Sequence, residues 1–182
     1  MERTAVTRIG LIPGCLALLP QYASLEDPVG ELRAACAALV GWLGEDVQVV
    51  GSGQGRRVAQ AVLGARTVAE GGAEPSYLVV ANGSACRSER APGHLDERAR
   101  AFDDALRDAL VGPTPDALHD LDQPLAAELL ADLTAVPELA GLLAGARTVT
   151  VDYDDAPYGV QYWVARWSVD GARPAAPVSV GA

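Results

Sequence analysis

The sequence predicts an α/β fold: a single three-layer domain with a mostly parallel sheet and an antiparallel C-terminal hairpin. Three observations carry this expectation. Short apolar, strand-like segments alternate with helical patterns, the order that builds a parallel sheet. Ser76–Ala81 is almost wholly apolar, as a strand buried on both faces should be. Near the C-terminus, two strand-like segments flank Asp154-Asp155-Ala156-Pro157-Tyr158-Gly159, a turn-rich stretch suited to a hairpin.

Each element has its own signal. Ala5–Ile12 reads as the first strand, ended by Pro13-Gly14. Residues 13–27 form a loop of a length that carries function in many domains. Asp27-Pro28 then starts a helix, with Asp as the cap and Pro at the first helical position. Val29, Leu32, Cys36, Leu39 and Leu43 make one apolar helix face, and Gly44 stops it. Val47–Val50 is a short second strand. The Gly51–Gly55 turn follows, then a helix over Arg56–Leu63. The third strand runs into the Asn82–Arg87 loop. The next helix, Asp96–Val111, has Leu95, Ala99, Phe102, Leu106 and Leu110 on its apolar face. Arg100, Asp103, Asp104 and Arg107 fall on its charged side. Residues 115–144 hold short helical pieces punctuated by Pro115, Pro124 and Pro137. Thr148–Val151 and Val160–Val169 complete the sheet as a hairpin. The domain is expected to span residues 1–171, with 172–182 as an Ala- and Pro-rich flexible tail.

Composition excludes several function classes. The 182 residues include 24 acidic and 14 basic ones, a net charge of −10. That balance argues against nucleic acid or an anionic membrane as a partner. Every basic residue is Arg, so Schiff-base and P-loop lysines are excluded. The missing Lys points to a GC-rich coding bias, such as an actinobacterial one. Cys15, Cys36 and Cys86 have no CxxC spacing, which suits a reducing cytoplasm. With only His94 and His119, one chain cannot supply a three-His metal site. Arg8, Pro13 and Pro20 interrupt the N-terminal apolar stretch, so neither a signal peptide nor a membrane span is expected.

Several segments could carry chemistry. Gly51–Gly55 sits where a backbone anion site forms, but Arg56 breaks the GxGxxG spacing; the other reading is a tight turn. Asn82–Arg87 follows the most apolar strand, where open α/β sheets place ligands. Cys86 is a candidate nucleophile if Arg87 or a helix N-terminus lowers its pKa, and otherwise an inert packed thiol. His94 is a candidate acid/base or a solvated loop residue, and His119 reads as surface. Asp152, Asp154 and Asp155 could hold a hard cation, or be a solvated turn.

Three groups of residues together resemble a known family. These are Asn82-Gly83-Ser84-Ala85-Cys86-Arg87, then Ala91-Pro92-Gly93-His94-Leu95-Asp96 with Phe102-Asp103, and the ending Tyr153–Tyr162. Their order over residues 5–169 resembles the class III extradiol ring-cleavage dioxygenases of B-subunit type. That family uses a 2-His-1-carboxylate Fe(II) site and a further acid/base His. Its first metal His falls at Gly14-Cys15, its second at Gly51-Ser52 and its acid/base His at Arg87; Asp154 is nearest to its carboxylate. The resemblance therefore implies the fold without iron-dependent ring cleavage. No cofactor is expected, and Fe(II) only if unusual ligands rebuild the site.

The expected function is that of a divergent, non-catalytic member binding a small molecule or a partner. Cys15, Asn82, Ser84, Arg87, Asp154 and Tyr158 are the expected ligand-binding residues, and Asp154 is the candidate metal ligand. Arg87 is expected to hold a small anion or to pair with Asp154 or Asp155. The alternative is an enzyme of altered chemistry, an oxidoreductase or hydrolase using Cys15, Cys86 or His94. The family's two-subunit members leave a homo-oligomer or partner subunit open.

Overall fold

The computed structural model describes residues 6–22, 26–64, 76–145 and 147–170. Three parallel strands form one half of the sheet: β1 (Val6–Ile12), β2 (Val47–Val50) and β3 (Ser76–Val80). The other half is a hairpin of β4 (Arg147–Asp155) and β5 (Tyr162–Asp170). The strand order is β2-β3-β1-β5-β4, with β5 antiparallel to both β1 and β4. The described residues thus form one mixed α/β domain with a five-stranded sheet. β3 lies between β2 and β1 and is buried at every position, which is why its sequence shows no alternation.

Alternation along the strands divides the core. Tyr77 and Val79 of β3 join Ile9, Leu11, Trp163 and Trp167 in one cluster. Helix α3 (Arg98–Val111) and the short helices α4 (Gln123–Glu128) and α5 (Val136–Leu142) close that side. Leu78 and Val80 face the other way, against α1 (Gly30–Leu43) and α2 (Gly53–Leu63). Gly10 lets α1 approach β1 closely, since a Cβ there would stand 2.9 Å from Leu39 Cδ2.

Several boundaries differ from expectation for local reasons. The first helix begins at Gly30, not at Asp27-Pro28. Asp27 caps a preceding turn instead, accepting the Val29 N–H at 3.2 Å through Oδ1 and the Gly30 N–H at 3.1 Å through its carbonyl. The second helix begins three residues earlier than expected, because Ser52 caps it. The helix expected from Asp96 begins at Arg98: Asp96 Oδ1 accepts the Arg98 N–H at 2.9 Å in a turn before α3. Strand β4 is longer than Thr148–Val151. A bulge at Asp152 keeps it paired to Asp155, so Asp154 and Asp155 lie on the strand and not in the turn. Ala5 and the expected tail over 172–182 lie outside the described residues. No helix among the described residues is long and apolar enough to cross a membrane.

Candidate functional site

The parallel strands deliver three loops to one end of the sheet, and polar side chains sew them together. Asn82 Oδ1 accepts the Gly14 N–H at 2.8 Å, and the Asn82 N–H donates to the Asp132 carbonyl at 3.1 Å. Gln54 Nε2 donates to the Gly14 carbonyl at 3.0 Å. Ser52 Oγ accepts the Gly55 N–H at 3.2 Å and donates to Asp132 Oδ2 at 2.8 Å. The Gly51–Gly55 stretch is therefore a capped helix start whose N-cap side chain already takes a helix N–H. Its glycines serve close packing: a Cβ on Gly55 would press on Val80 at 3.0 Å.

The loop after β3 is anchored by a carboxylate from α3. Asp103 is 1% exposed. Its Oδ1 accepts the Ser84 N–H at 2.7 Å, and its Oδ2 accepts Ser84 Oγ–H at 2.6 Å and Arg87 Nη1 at 3.1 Å. Burial pushes the Asp103 carboxyl above its ordinary value, against the pull of the Ser84 hydrogen bonds and the Arg87 charge. The same loop is tied to the hairpin connection, where the Arg87 N–H donates to the Gly159 carbonyl at 2.9 Å. Arg87 is thus fixed at both backbone and side chain, and the partner of its guanidinium is Asp103, not the expected Asp154 or Asp155. Its side chain remains 15% exposed.

Two open grooves flank Arg87. One, of about 540 Å³, is lined by Arg87, Ser88, Arg90, Arg100, Asp155 and the Ala156–Gly159 turn that carries Tyr158. Arg90 and Arg100 form no ion pair among the described residues. The other, of about 490 Å³, is lined by Arg87, Asp103, Asp104, Arg107, Asp108, Asp154, Gln161 and Trp163. Asp154 accepts Arg107 Nε at 2.6 Å and Gln161 Nε2 at 2.9 Å.

The expected site residues therefore separate. Arg87 and Tyr158 share the first groove, and Arg87 and Asp154 share the second. Asn82 and Ser84 are committed to internal hydrogen bonds. Cys15 is buried beside Tyr162, whose hydroxyl is pushed up by burial first and by its hydrogen bond with Cys15 second. Cys86 is buried as well; its thiol points at the Leu129 carbonyl, 3.5 Å away, and burial raises its pKa. That is the environment of a packing thiol rather than of an activated nucleophile. His94 is exposed in the left-handed region, at φ +58°, with Nδ1 3.4 Å from the Glu89 carbonyl.

Sequence reasoning missed Asp103, Asp132, Arg90 and Arg100. Asp103 had a readable signal. It lies four residues after Ala99 and three before Leu106, on the buried stripe of α3 rather than on its charged side.

The iron site implied by the family resemblance does not fit these residues. Cys15 packs in the cluster on the α1 and α2 side, whereas Asp154 is held by Arg107 of α3 on the opposite side. Gly51-Ser52 supplies no imidazole, and the Ser52 hydroxyl is engaged. Among the described residues, no group of three or more His, Cys, Asp or Glu is placed to hold a metal ion. No protein-family model and no curated protein sequence matches this chain.

Proposed function

We propose that this protein binds a small anionic ligand in the arginine-lined groove and does not open catechol rings. One observation carries the reading: Arg87, Arg90 and Arg100 converge on a single groove in a chain whose net charge is −10. Three guanidiniums around one groove, two of them without an ion pair, create a local positive field in an acidic protein. Arg87 is preset by Asp103, so its remaining donors need little ordering when an anion arrives. The groove sits beyond the C-terminal end of β3, where open α/β sheets take their ligands.

On this reading the chain is a divergent three-layer relative of the class III extradiol dioxygenases of B-subunit type. It keeps their crevice and has lost their iron chemistry. Arg87, at the position of the family's acid/base His, keeps its proton near neutral pH and cannot shuttle it. The three free, buried thiols support a reducing, cytoplasmic setting.

Calorimetric titration with inorganic phosphate tests the proposal. Arg90→Ala and Arg100→Ala should each weaken binding by about tenfold, equivalent to roughly 1.4 kcal/mol. Both side chains are exposed, so the melting temperature should stay within about 2 °C of the parent. Phosphate binding equally well to both variants, or not at all to the parent chain, would overturn the reading.

A further inference from the structure

The arginine groove holds one acid among its bases. Asp155 lines it together with Arg87, Arg90 and Arg100, yet forms no ion pair among the described residues. Its place is set by the backbone. Asp155 is the last residue of β4 and pairs with Tyr162 of β5. Its Oδ1 accepts the Ala156 N–H at 2.7 Å, and its Oδ2 takes no hydrogen bond among the described residues. The groove thus offers donors from three guanidiniums and one anchored acceptor. Ser88, also on its wall, can donate or accept and so favours neither kind of ligand oxygen.

Donors and acceptor together restrict the anion. An oxyanion without a proton satisfies the arginines but meets Asp155 as a like charge, with nothing to donate to it. An oxyanion that keeps a hydroxyl can donate it to Asp155 Oδ2 while its other oxygens accept from the guanidiniums. Phosphate keeps such a proton near neutral pH, and sulfate does not. A zwitterion with one carboxylate would serve Asp155 and leave guanidiniums unmatched. We propose that Asp155 is a specificity-determining residue of the anion site, which selects a phosphate group still carrying an acidic proton. This rests on the anion-binding reading above and adds the identity of the oxyanion. Two sources share that chemistry: free hydrogen phosphate, and a phosphate monoester below its second pKa of about 6.

The test compares inorganic phosphate, sulfate and ethyl phosphate by calorimetric titration at matched ionic strength. Each is measured at about pH 5 and about pH 8, on either side of the monoester's second pKa. Inorganic phosphate should bind about tenfold tighter than sulfate at both. Ethyl phosphate should share that preference only at the lower pH; if it binds at neither, the site takes free phosphate alone. Sulfate keeps its charge over this range and so reports any titration of the protein itself. Asp155→Asn retains the carbonyl oxygen that takes the Ala156 N–H, at an exposed position. It should bring phosphate and sulfate within about threefold of each other, chiefly by tightening sulfate. Equal binding of phosphate and sulfate by the parent chain would overturn the proposal. So would a phosphate preference that survives Asp155→Asn, an ethyl phosphate preference that persists at the higher pH, or glycine binding as tightly as phosphate. In each case phosphate binding weakened by Arg90→Ala leaves the anion site standing. No phosphate binding by the parent chain would remove both.

Discussion

Replacing Asp103 tests whether the β3–α3 loop is held by one buried carboxylate. Asp103→Ala leaves the buried Ser84 N–H without its acceptor and Arg87 without its counter-charge. Breaking a buried pair by removing one partner costs about 3–5 kcal/mol. For a chain of this length the lower figure corresponds to roughly 6 °C or more in Tm. Urea unfolding with m held constant is the assay. Asp103→Asn keeps one carbonyl acceptor and sets an NH₂ against two donors, so its cost should be intermediate, about 2 kcal/mol. The two variants also differ from the parent in pH dependence. The folded-state pKa of Asp103 lies above the unfolded one, so the folded state holds the proton more tightly. Its contribution is fully present below the unfolded value of about 3.9 and declines as pH rises through the folded value. Both variants should lack that decline. A loss under about 1 kcal/mol for Asp103→Ala, with the decline intact, would show that the loop is held by other means.

Other outcomes follow from the same contacts. All three thiols should react slowly in the native protein and quickly in denaturant. Cys36 should be slowest, its pKa being pushed to about 12 by burial on α1; fast native labelling of Cys36 would contradict this. Gly83→Ala should destabilise by about 1–3 kcal/mol in thermal melts, because the new Cβ would meet Asp103 Oδ1 at 2.7 Å and Trp163 Cη2 at 2.8 Å. His94→Gly should be neutral or stabilising by up to about 1 kcal/mol and leave phosphate affinity unchanged, since it relieves a left-handed backbone at an exposed residue. The purified protein should carry iron far below one atom per chain by metal analysis. It should give no ring-cleavage absorbance with a catechol and Fe(II).

The parts of the structure legible in the sequence were those with a period. Strand β3 could be placed because an unbroken apolar run has few other homes, and α1 because Leu32, Cys36, Leu39 and Leu43 share one face. The parts that escaped depend on partners distant along the chain. Asp154 reads as a turn residue beside Asp155 and Pro157. Only the bulge at Asp152 and its pairing with β5 place it on a strand. The resemblance sets Arg87 near the hairpin carboxylates, yet its partner comes from the buried stripe of α3, where an Asp next to Asp104 reads as one more surface charge. Arg90 and Arg100 are ten residues apart and have no shared period. The chain reversal between the β3 loop and α3 brings them to one groove.

Arginine side-chain NMR during a phosphate titration examines the anion site without relying on any substitution. The Nε–Hε resonances of Arg87, Arg90 and Arg100 should shift together along one saturable curve. Those of Arg8 and Arg166, stacked on Trp42 away from the groove, should stay fixed. Uniform, non-saturating shifts across all arginines, or saturable shifts that spare Arg90 and Arg100, would show that the groove is not where the anion binds.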